Sequence, residues 1–333
     1  MAKIGMIGAG SWGIALTWLL TNNGHQVTVW SALEDEIKML CEKREHTSKL
    51  PGVLLPESVS FTTELEKAVV GMELLVLAVP SPFVRSTAHQ LKDIAEEGQI
   101  IVNVAKGIEE KTLMTLSEVI EEEIPQAQVA VLSGPSHAEE VGKGVPTTIV
   151  AGAKTKKAAE KIQNIFMSSV FRVYTSPDVL GIELGAALKN VVALAAGIAD
   201  GLGYGDNTKA ALITEISRLG MAMGGRRETF FGLSGIGDLI VTCASMHSRN
   251  RRAGILIGQG HTMEEAMEEV KMVVEGVYSA RAAVGLAEKY HVSLPIIEQV
   301  NQVLFYGKPA ADAVGELMLR DKKIEITDTE WEQ

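Results

Sequence analysis

A chain of 333 residues, 46% hydrophobic and 22% charged, is long enough to build two packed domains. Its net charge of −11 argues against a nucleic-acid backbone as partner, so any phosphate it binds must be met by local cations and backbone amides. Cys41 and Cys243 form no metal-ligand spacing and point to a reducing, cytoplasmic setting, with Cys243 read as a small buried hydrophobe. The start MAKIGMIGAG turns to glycines before a signal-peptide core can form, and apolar runs such as VVALAAGIA fall short of a membrane span.

In chain order, Lys3 to Gly8 reads as a short buried strand, followed by GAGSWG with Gly8, Gly10 and Gly13, then the helical pattern IALTWLLTNNG and a second strand, HQVTVW. The G-x-G-x-x-G string alone is weak evidence, but between a strand and a helix it predicts a dinucleotide site. Glycines let the backbone approach the pyrophosphate, and amides at the helix start near Ser11 and Trp12 meet its charge. The end of the second strand normally names the cofactor, an acid for NAD or a cation for NADP. Here Trp30-Ser31-Ala32-Leu33 carries neither, and Glu34 and Asp35 read as the first turn of the next helix, where acids suit the dipole.

Three further strands follow: LLVLAVPS (74–81), QIIVNVAKG (99–107) and VAVLSGPSHAEEV (129–141). In open α/β sheets ligands bind beyond the carboxyl ends of the strands, which delivers Lys106, Gly134 and Ser136 to the rim that holds Gly10. His137 reads as a helix cap. TTIVAG and VFRVYTS extend the sheet, and after about Pro177 helical patterns dominate. The boundary is placed at Ser176 to Asp178, dividing the chain into 1–177 and 178–333.

The run ELGAALKNVVALAAGIADGLGYGD (183–206) describes a helix packed closely on all sides, with Lys189 and Asn190 inside it. Either Lys189 snorkels to the surface, or burial lowers its pKa until it exchanges protons near neutrality. In GLSGIGDLIVTC, Asp238 and Thr242 share a face if the segment is helical. HSRNRRAG then offers Ser248, Arg249 and Asn250 as either an anion site or a solvated basic face. The seven histidines show no metal-ligand pairing, so no metal is assigned.

Together GAGSWG, VNVAKGIE, LSGPSHAEEV, ALKNVVALAAGIADGLGYGDN, GLSGIGDLIVTCASMHSRN and VVEG resemble the bacterial NAD(P)-dependent sn-glycerol-3-phosphate dehydrogenases, in order and over nearly the whole chain. The resemblance implies an α/β N-terminal Rossmann-type domain with a mostly parallel sheet extended by late strands, and an all-α C-terminal domain. It implies interconversion of sn-glycerol 3-phosphate and dihydroxyacetone phosphate, feeding glycerophospholipid synthesis, with NAD or NADP as cofactor. The partner is then a small phosphorylated three-carbon substrate, and a homodimer is left open. Beside the motif glycines Gly8, Gly10 and Gly13, the cofactor would fall on Ser11, Trp12, Lys106, Ala138, Arg249, Val273 and Glu275. The substrate would meet Lys106, Gly134, Ser136, Lys189, Asn190, Asp238, Thr242, Ser248, Arg249 and Asn250. Lys189 would be the general acid/base, assisted by Lys106 and Asp238.

Two departures from the family stand out. Ala32 and Leu33 occupy the place of a usual His or Arg. The stretch KAALITEISRLG (209–220) is short of the usual pattern by a helical turn, about four residues near Thr214. That gap is expected to leave dinucleotide binding near normal while impairing turnover. It keeps open a catalytically weakened redox sensor, beside a related reductase of another hydroxy acid or phosphorylated polyol.

Overall fold

The computed structural model describes residues 1–204 and 213–322. Its first part alternates β1 (Lys3–Ile7), α1 (Ser11–Asn22), β2 (Gln26–Trp30), α2 (Glu34–Lys43), β3 (Ser60–Thr62), β4 (Leu74–Leu77), α3 (Val84–Leu91), β5 (Ile100–Asn103), α4 (Leu116–Glu123) and β6 (Gln128–Ser133). There follow α5 (Ala138–Val141), β7 (Thr147–Ala153), α6 (Lys156–Phe166) and β8 (Phe171–Ser176). One eight-stranded sheet runs β3-β2-β1-β4-β5-β6-β7-β8. The strands from β3 to β6 are parallel, β7 runs antiparallel to β6, and β8 is parallel to β7. Strands covered on both faces read as continuous apolar runs. In β1, Ile4 and Met6 enter the core on one face while Ile7 enters the core on the other.

The expected strands are present but shorter: β4 ends at Leu77 and β5 at Asn103, leaving Pro80 and Lys106 in loops beyond the carboxyl ends and Ser81 at the start of a 3-10 turn, Ser81–Phe83. The acids Glu34, Asp35 and Glu36 do form the first turn of α2. His137 stands at the N-cap position of α5, but its side chain makes no capping hydrogen bond, so that expectation is corrected.

The second part is helical: α7 (Val179–Gly201), α8 (Ile213–Ala222), α9 (Arg227–Phe231), a π-turn at Leu233–Gly237, α10 (Asp238–Ala244), α11 (Arg249–Gly258), α12 (Met263–Val270), α13 (Glu275–Tyr290), α14 (Pro295–Tyr306) and α15 (Ala310–Met318). Asp178 starts α7 by accepting from the Gly181 amide at 3.0 Å. Its other oxygen accepts from the Arg226 amide and the Thr229 hydroxyl, so the same carboxylate holds α9 against α7.

The small residues of α7 have a packing cause. A Cβ on Gly197 would lie 2.2 Å from the Arg251 carbonyl oxygen, and one on Gly201 would lie 2.2 Å from that of Ile255. The helices α7 and α11 thus approach at backbone distance, which only glycine permits. With 23 residues, α7 is long and apolar enough to cross a membrane, longer than the apolar run suggested. Its most apolar window is nevertheless 89% buried inside the protein, which makes α7 the core helix of the helical part. Cys243 is half-buried against that core rather than enclosed by it.

The segment 205–212, upstream of the apparent gap, lies outside the described residues. From α8 onward, Ile216 and Leu219 are buried in the helical core. Glu215 is buried too, and its carboxylate accepts from the Ile296 and Ile297 amides at the start of α14.

Candidate active site

The site is built where α7 and α10 meet the carboxyl ends of β5 and β6. Lys189 does not snorkel: its side chain is 6% exposed, and Nζ donates to Asp238 Oδ1 at 2.6 Å and to Thr242 Oγ1 at 2.7 Å. Asp238 and Thr242 lie one turn apart on α10, as their spacing required, and Thr242 donates onward to the Asp238 carbonyl. Lys106 reaches the same carboxylate from the loop after β5, donating to Asp238 Oδ2 at 2.7 Å and to the Gly134 carbonyl at 3.1 Å. One carboxylate therefore bridges two ammonium groups. Ser136 Oγ donates to the same Gly134 oxygen at 2.9 Å, which places both residues of that loop beside Lys106.

Electrostatics at this junction are dominated by burial. Removing the Lys189 ammonium from water lowers its pKa to about 7; Asp238 opposes the fall and Lys106 adds to it by like-charge repulsion. Burial alone would raise the Asp238 carboxyl, but the two lysines outweigh it and bring it below its ordinary value. His137, beside the junction, is lowered by burial and by Lys189. Among the described residues its buried Nε2 has no hydrogen-bond partner, and its ring lies 5.7 Å from that of His247.

The glycine turn fits a dinucleotide. Gly8 takes φ 122°, and a Cβ there would come within 2.7 Å of the Ala78 oxygen. A Cβ on Gly13 would meet the Gly8 oxygen at 2.2 Å, so α1 packs directly on the turn. On Gly10 it would meet nothing within 4 Å. Gly10 is the N-cap of α1, and no side chain caps the helix, so the amides of its first turn face that open space. The Trp12 indole N–H beside them is buried and has no hydrogen-bond partner among the described residues. Open amides and an orphaned donor are what a pyrophosphate-bearing ligand would satisfy. Ala138 is buried as the first residue of α5.

The remaining expected residues divide into two groups. Ser248 is the N-cap of α11, its hydroxyl accepting from the Arg251 amide, and Arg249 follows half-buried. Among the described residues no hydrogen bond or ion pair engages the Arg249 guanidinium, although it lies close enough to lower the Glu275 carboxyl, which burial raises. Glu275 opens α13 and accepts from both the amide and the hydroxyl of Ser81, with half-buried Val273 two residues before it. Asn190 and Asn250 instead spend polar groups on each other: Asn250 donates to Asn190 Oδ1 at 3.0 Å and accepts from the Gly276 amide at 2.8 Å. These two asparagines tie α7, α11 and α13 together behind the lysines.

Comparison with known proteins gives the family. Residues 3–159 match the N-terminal part, and residues 178–315 the C-terminal part, of the NAD-dependent glycerol-3-phosphate dehydrogenases. The chain belongs to this family. It is 67% identical to the glycerol-3-phosphate dehydrogenase [NAD(P)+] of Agathobacter rectalis over 99% of this chain and 100% of the relative. It is 63% identical to that of Fusobacterium nucleatum over 98% of this chain and 99% of the relative. A crystal structure of glycerol-3-phosphate dehydrogenase from Coxiella burnetii superimposes with a TM-score of 0.93 at 34% identity, covering 96% of this chain and 99% of that one. As a glycerol-3-phosphate dehydrogenase family member, the chain has the α/β sheet and helical part that the motifs implied.

Sequence reasoning missed the polar residues that hold the site from behind. Asn103 and Glu183 lie inside quoted stretches, VNVAKGIE and ELGAALKN, but were given no role there, and only their being polar within apolar runs marked them.

Proposed function

We propose that this protein is an NAD(P)-dependent glycerol-3-phosphate dehydrogenase whose general acid/base is Lys189. The observation that carries the proposal is the buried junction of Lys189, Asp238 and Lys106 at the rim of the sheet. When bound, the nicotinamide accepts or donates the hydride. The rest falls to the chain. In alcohol oxidation Lys189, with a pKa near 7, takes the hydroxyl proton through its Nζ; in ketone reduction it returns that proton. Lys106 donates toward the oxygen on which negative charge develops. Asp238 and Thr242 fix the Lys189 ammonium in one orientation, which saves reorganisation in the reacting state.

Arg249, just after the Ser248 N-cap of α11, supplies the cation for the substrate phosphate, while Asn250 holds the helix start in place. The family relatives favour this reading over a redox sensor, as does a lysine held buried at the site. In keeping with it, residues 1–177 serve the dinucleotide and residues 178–333 the substrate.

The test is oxidation of NADH and NADPH by the purified chain with dihydroxyacetone phosphate, and the reverse reaction with sn-glycerol 3-phosphate. Phosphate-dependent turnover is expected. Cofactor binding without turnover would sink the reading.

A further inference from the structure

Glu183 lies on α7 six residues before Lys189, and 6% of it is exposed. It touches none of the groups that move protons. Its Oε1 accepts from Asn103 Nδ2 at 3.2 Å and from the Ser117 amide at 2.9 Å. Its Oε2 and the Ser117 hydroxyl are both buried and, among the described residues, neither completes a well-formed hydrogen bond, although the Thr115 and Ser117 hydroxyls lie close enough to act on the carboxyl. A carboxyl enclosed with one oxygen poorly satisfied is unfavourable to folding, and a well-packed apolar side chain of similar volume would avoid that penalty. Burial raises its pKa to about 7, against the opposing hydrogen bonds from Ser117, Thr115 and Asn103.

What the arrangement achieves is visible on the far side of Asn103. This residue ends β5, and its Oδ1 accepts from the Ala105 amide at 3.1 Å while its Nδ2 also reaches the Ala105 carbonyl at 3.3 Å. Lys106 is the next residue. A closed circuit of contacts results: α7 carries Glu183, Glu183 holds Asn103, and Asn103 clamps the turn that carries Lys106. Lys106 meets Asp238, and Asp238 meets Lys189 on α7 again. The two lysines come from the sheet and from the helical part, and within this circuit Glu183 is the side chain that joins their supports.

We propose that Glu183 is a positioning residue, which through Asn103 orders the turn 103–106 and so sets the place of Lys106 relative to Asp238 and Lys189. The proposal rests on the functional reading above for its kinetic consequence, but not for its structural one.

The experiment compares Glu183→Gln, Glu183→Leu, Asn103→Leu and the double Leu variant in the full chain. Glutamine can still accept from Asn103 and the Ser117 amide, and its amide can donate to the Ser117 hydroxyl. Glu183→Gln should therefore keep kcat within about threefold, whereas each Leu variant should lose roughly 10- to 100-fold, the scale of a 1 Å misplacement. Because the two residues act in series, the double variant should lose little more than either single one. The dissociation constant for NADH should stay within about twofold throughout, since the glycine turn is untouched. Hydrogen exchange at the Ala105 amide should accelerate in Glu183→Leu while Ile101 and Val102 in β5 stay protected.

Wild-type kcat in a folded Glu183→Leu, losses that multiply in the double variant, or unchanged exchange at Ala105 would each overturn the proposal. If Glu183→Leu does not fold, Asn103→Leu and Glu183→Gln decide: the first must slow turnover and release Ala105, and the second must do neither. Exchange is read without turnover, so a chain inactive on dihydroxyacetone phosphate would count against the functional reading alone.

Discussion

Lys189 Nζ lies 2.6 Å from Asp238 Oδ1, and both side chains are almost wholly removed from solvent. A buried pair of this kind is poor evidence for stability, because desolvation of two ions offsets most of their attraction. It is better evidence for chemistry, since Lys106 is drawn to the same carboxylate and competes for its charge. Lys189→Met should therefore abolish turnover, by about three orders of magnitude or more, with NADH affinity nearly unchanged. Lys189→Arg should do little better, because a guanidinium does not release its proton in this range. Steady-state kinetics with a fluorescence titration of NADH checks both, and near-normal activity in Lys189→Arg would remove Lys189 from the acid/base role.

The pH dependence follows from the same group. Burial, helped by Lys106, has lowered the Lys189 pKa to about 7, so the neutral amine is present above that pH and the ammonium below it. Oxidation needs the amine and should rise with pH to a plateau above about 7; reduction needs the ammonium and should fall across the same interval. Lys106→Met removes a like charge, so the Lys189 pKa must rise and both midpoints must move to higher pH. Rate profiles of kcat in the two directions test the sign, and a midpoint displaced to lower pH in Lys106→Met would contradict it.

For the substrate phosphate, Arg249→Ala should lower kcat/KM for dihydroxyacetone phosphate roughly 10- to 150-fold, the equivalent of about 1.5–3 kcal/mol for a charge-assisted hydrogen bond. The loss should nearly vanish with dihydroxyacetone. An equal loss on both substrates would show that Arg249 does not read the phosphate.

Cofactor choice depends on the residues just after β2. Ser31 donates to Glu36 at 2.7 Å, and Glu36 is also engaged by His46 and by Lys49. Burial would raise the Glu36 carboxyl, but these three partners together lower it to about 2, so it is an anion with Lys49 as counter-charge. With Ala32 and Leu33 in place of a cation, NADPH should not exceed NADH by tenfold in kcat/KM, an expectation on the order of a single charge contact. Lys49→Ala leaves Glu36 uncompensated just beyond β2 and should weaken NADPH, which would bring an extra phosphate, more than NADH. Calorimetric titration of both nucleotides measures the difference, and equal weakening would contradict it.

Much of the sheet was legible because parallel strands buried on both faces are unbroken apolar runs, and β1, β4, β5 and β6 each lead into a Gly, Pro or Lys loop at the same rim. Asp238 and Thr242 were legible as a pair from helical spacing alone. Whether Lys189 was buried or surfaced was not, because the answer depends on α10 packing across α7. Glu183 and Asn103 were illegible for the same reason. Their meaning lies in a contact across 80 residues that no local period records. Asn190 and Asn250 sat in the right motifs, yet their amides bond to each other.

The apparent gap near Thr214 was expected to impair turnover, either absorbed by the flanking loops or passed on as a shift of the Asp238 segment relative to Lys189. In the described residues that segment is in place, as the 2.6 Å contact between Lys189 and Asp238 shows. A physical reason lies just after the gap. Glu215 accepts from two amides at the start of α14, which pins the beginning of α8 independently of the residues before it. Inserting Arg-Gly-Leu-Ala after Thr214 should therefore change kcat by no more than about threefold, because the added turn enters upstream of the anchor. Glu215→Ala should have the larger effect: it leaves the two α14 amides without their carboxylate acceptor, lowering stability by about 1–3 kcal/mol, seen as a reduced urea midpoint. In that background the same insertion should begin to alter kcat, since α8 is no longer held. A tenfold gain in kcat on insertion into the wild-type chain would show instead that the shortened segment limits turnover despite the intact Lys189–Asp238 contact.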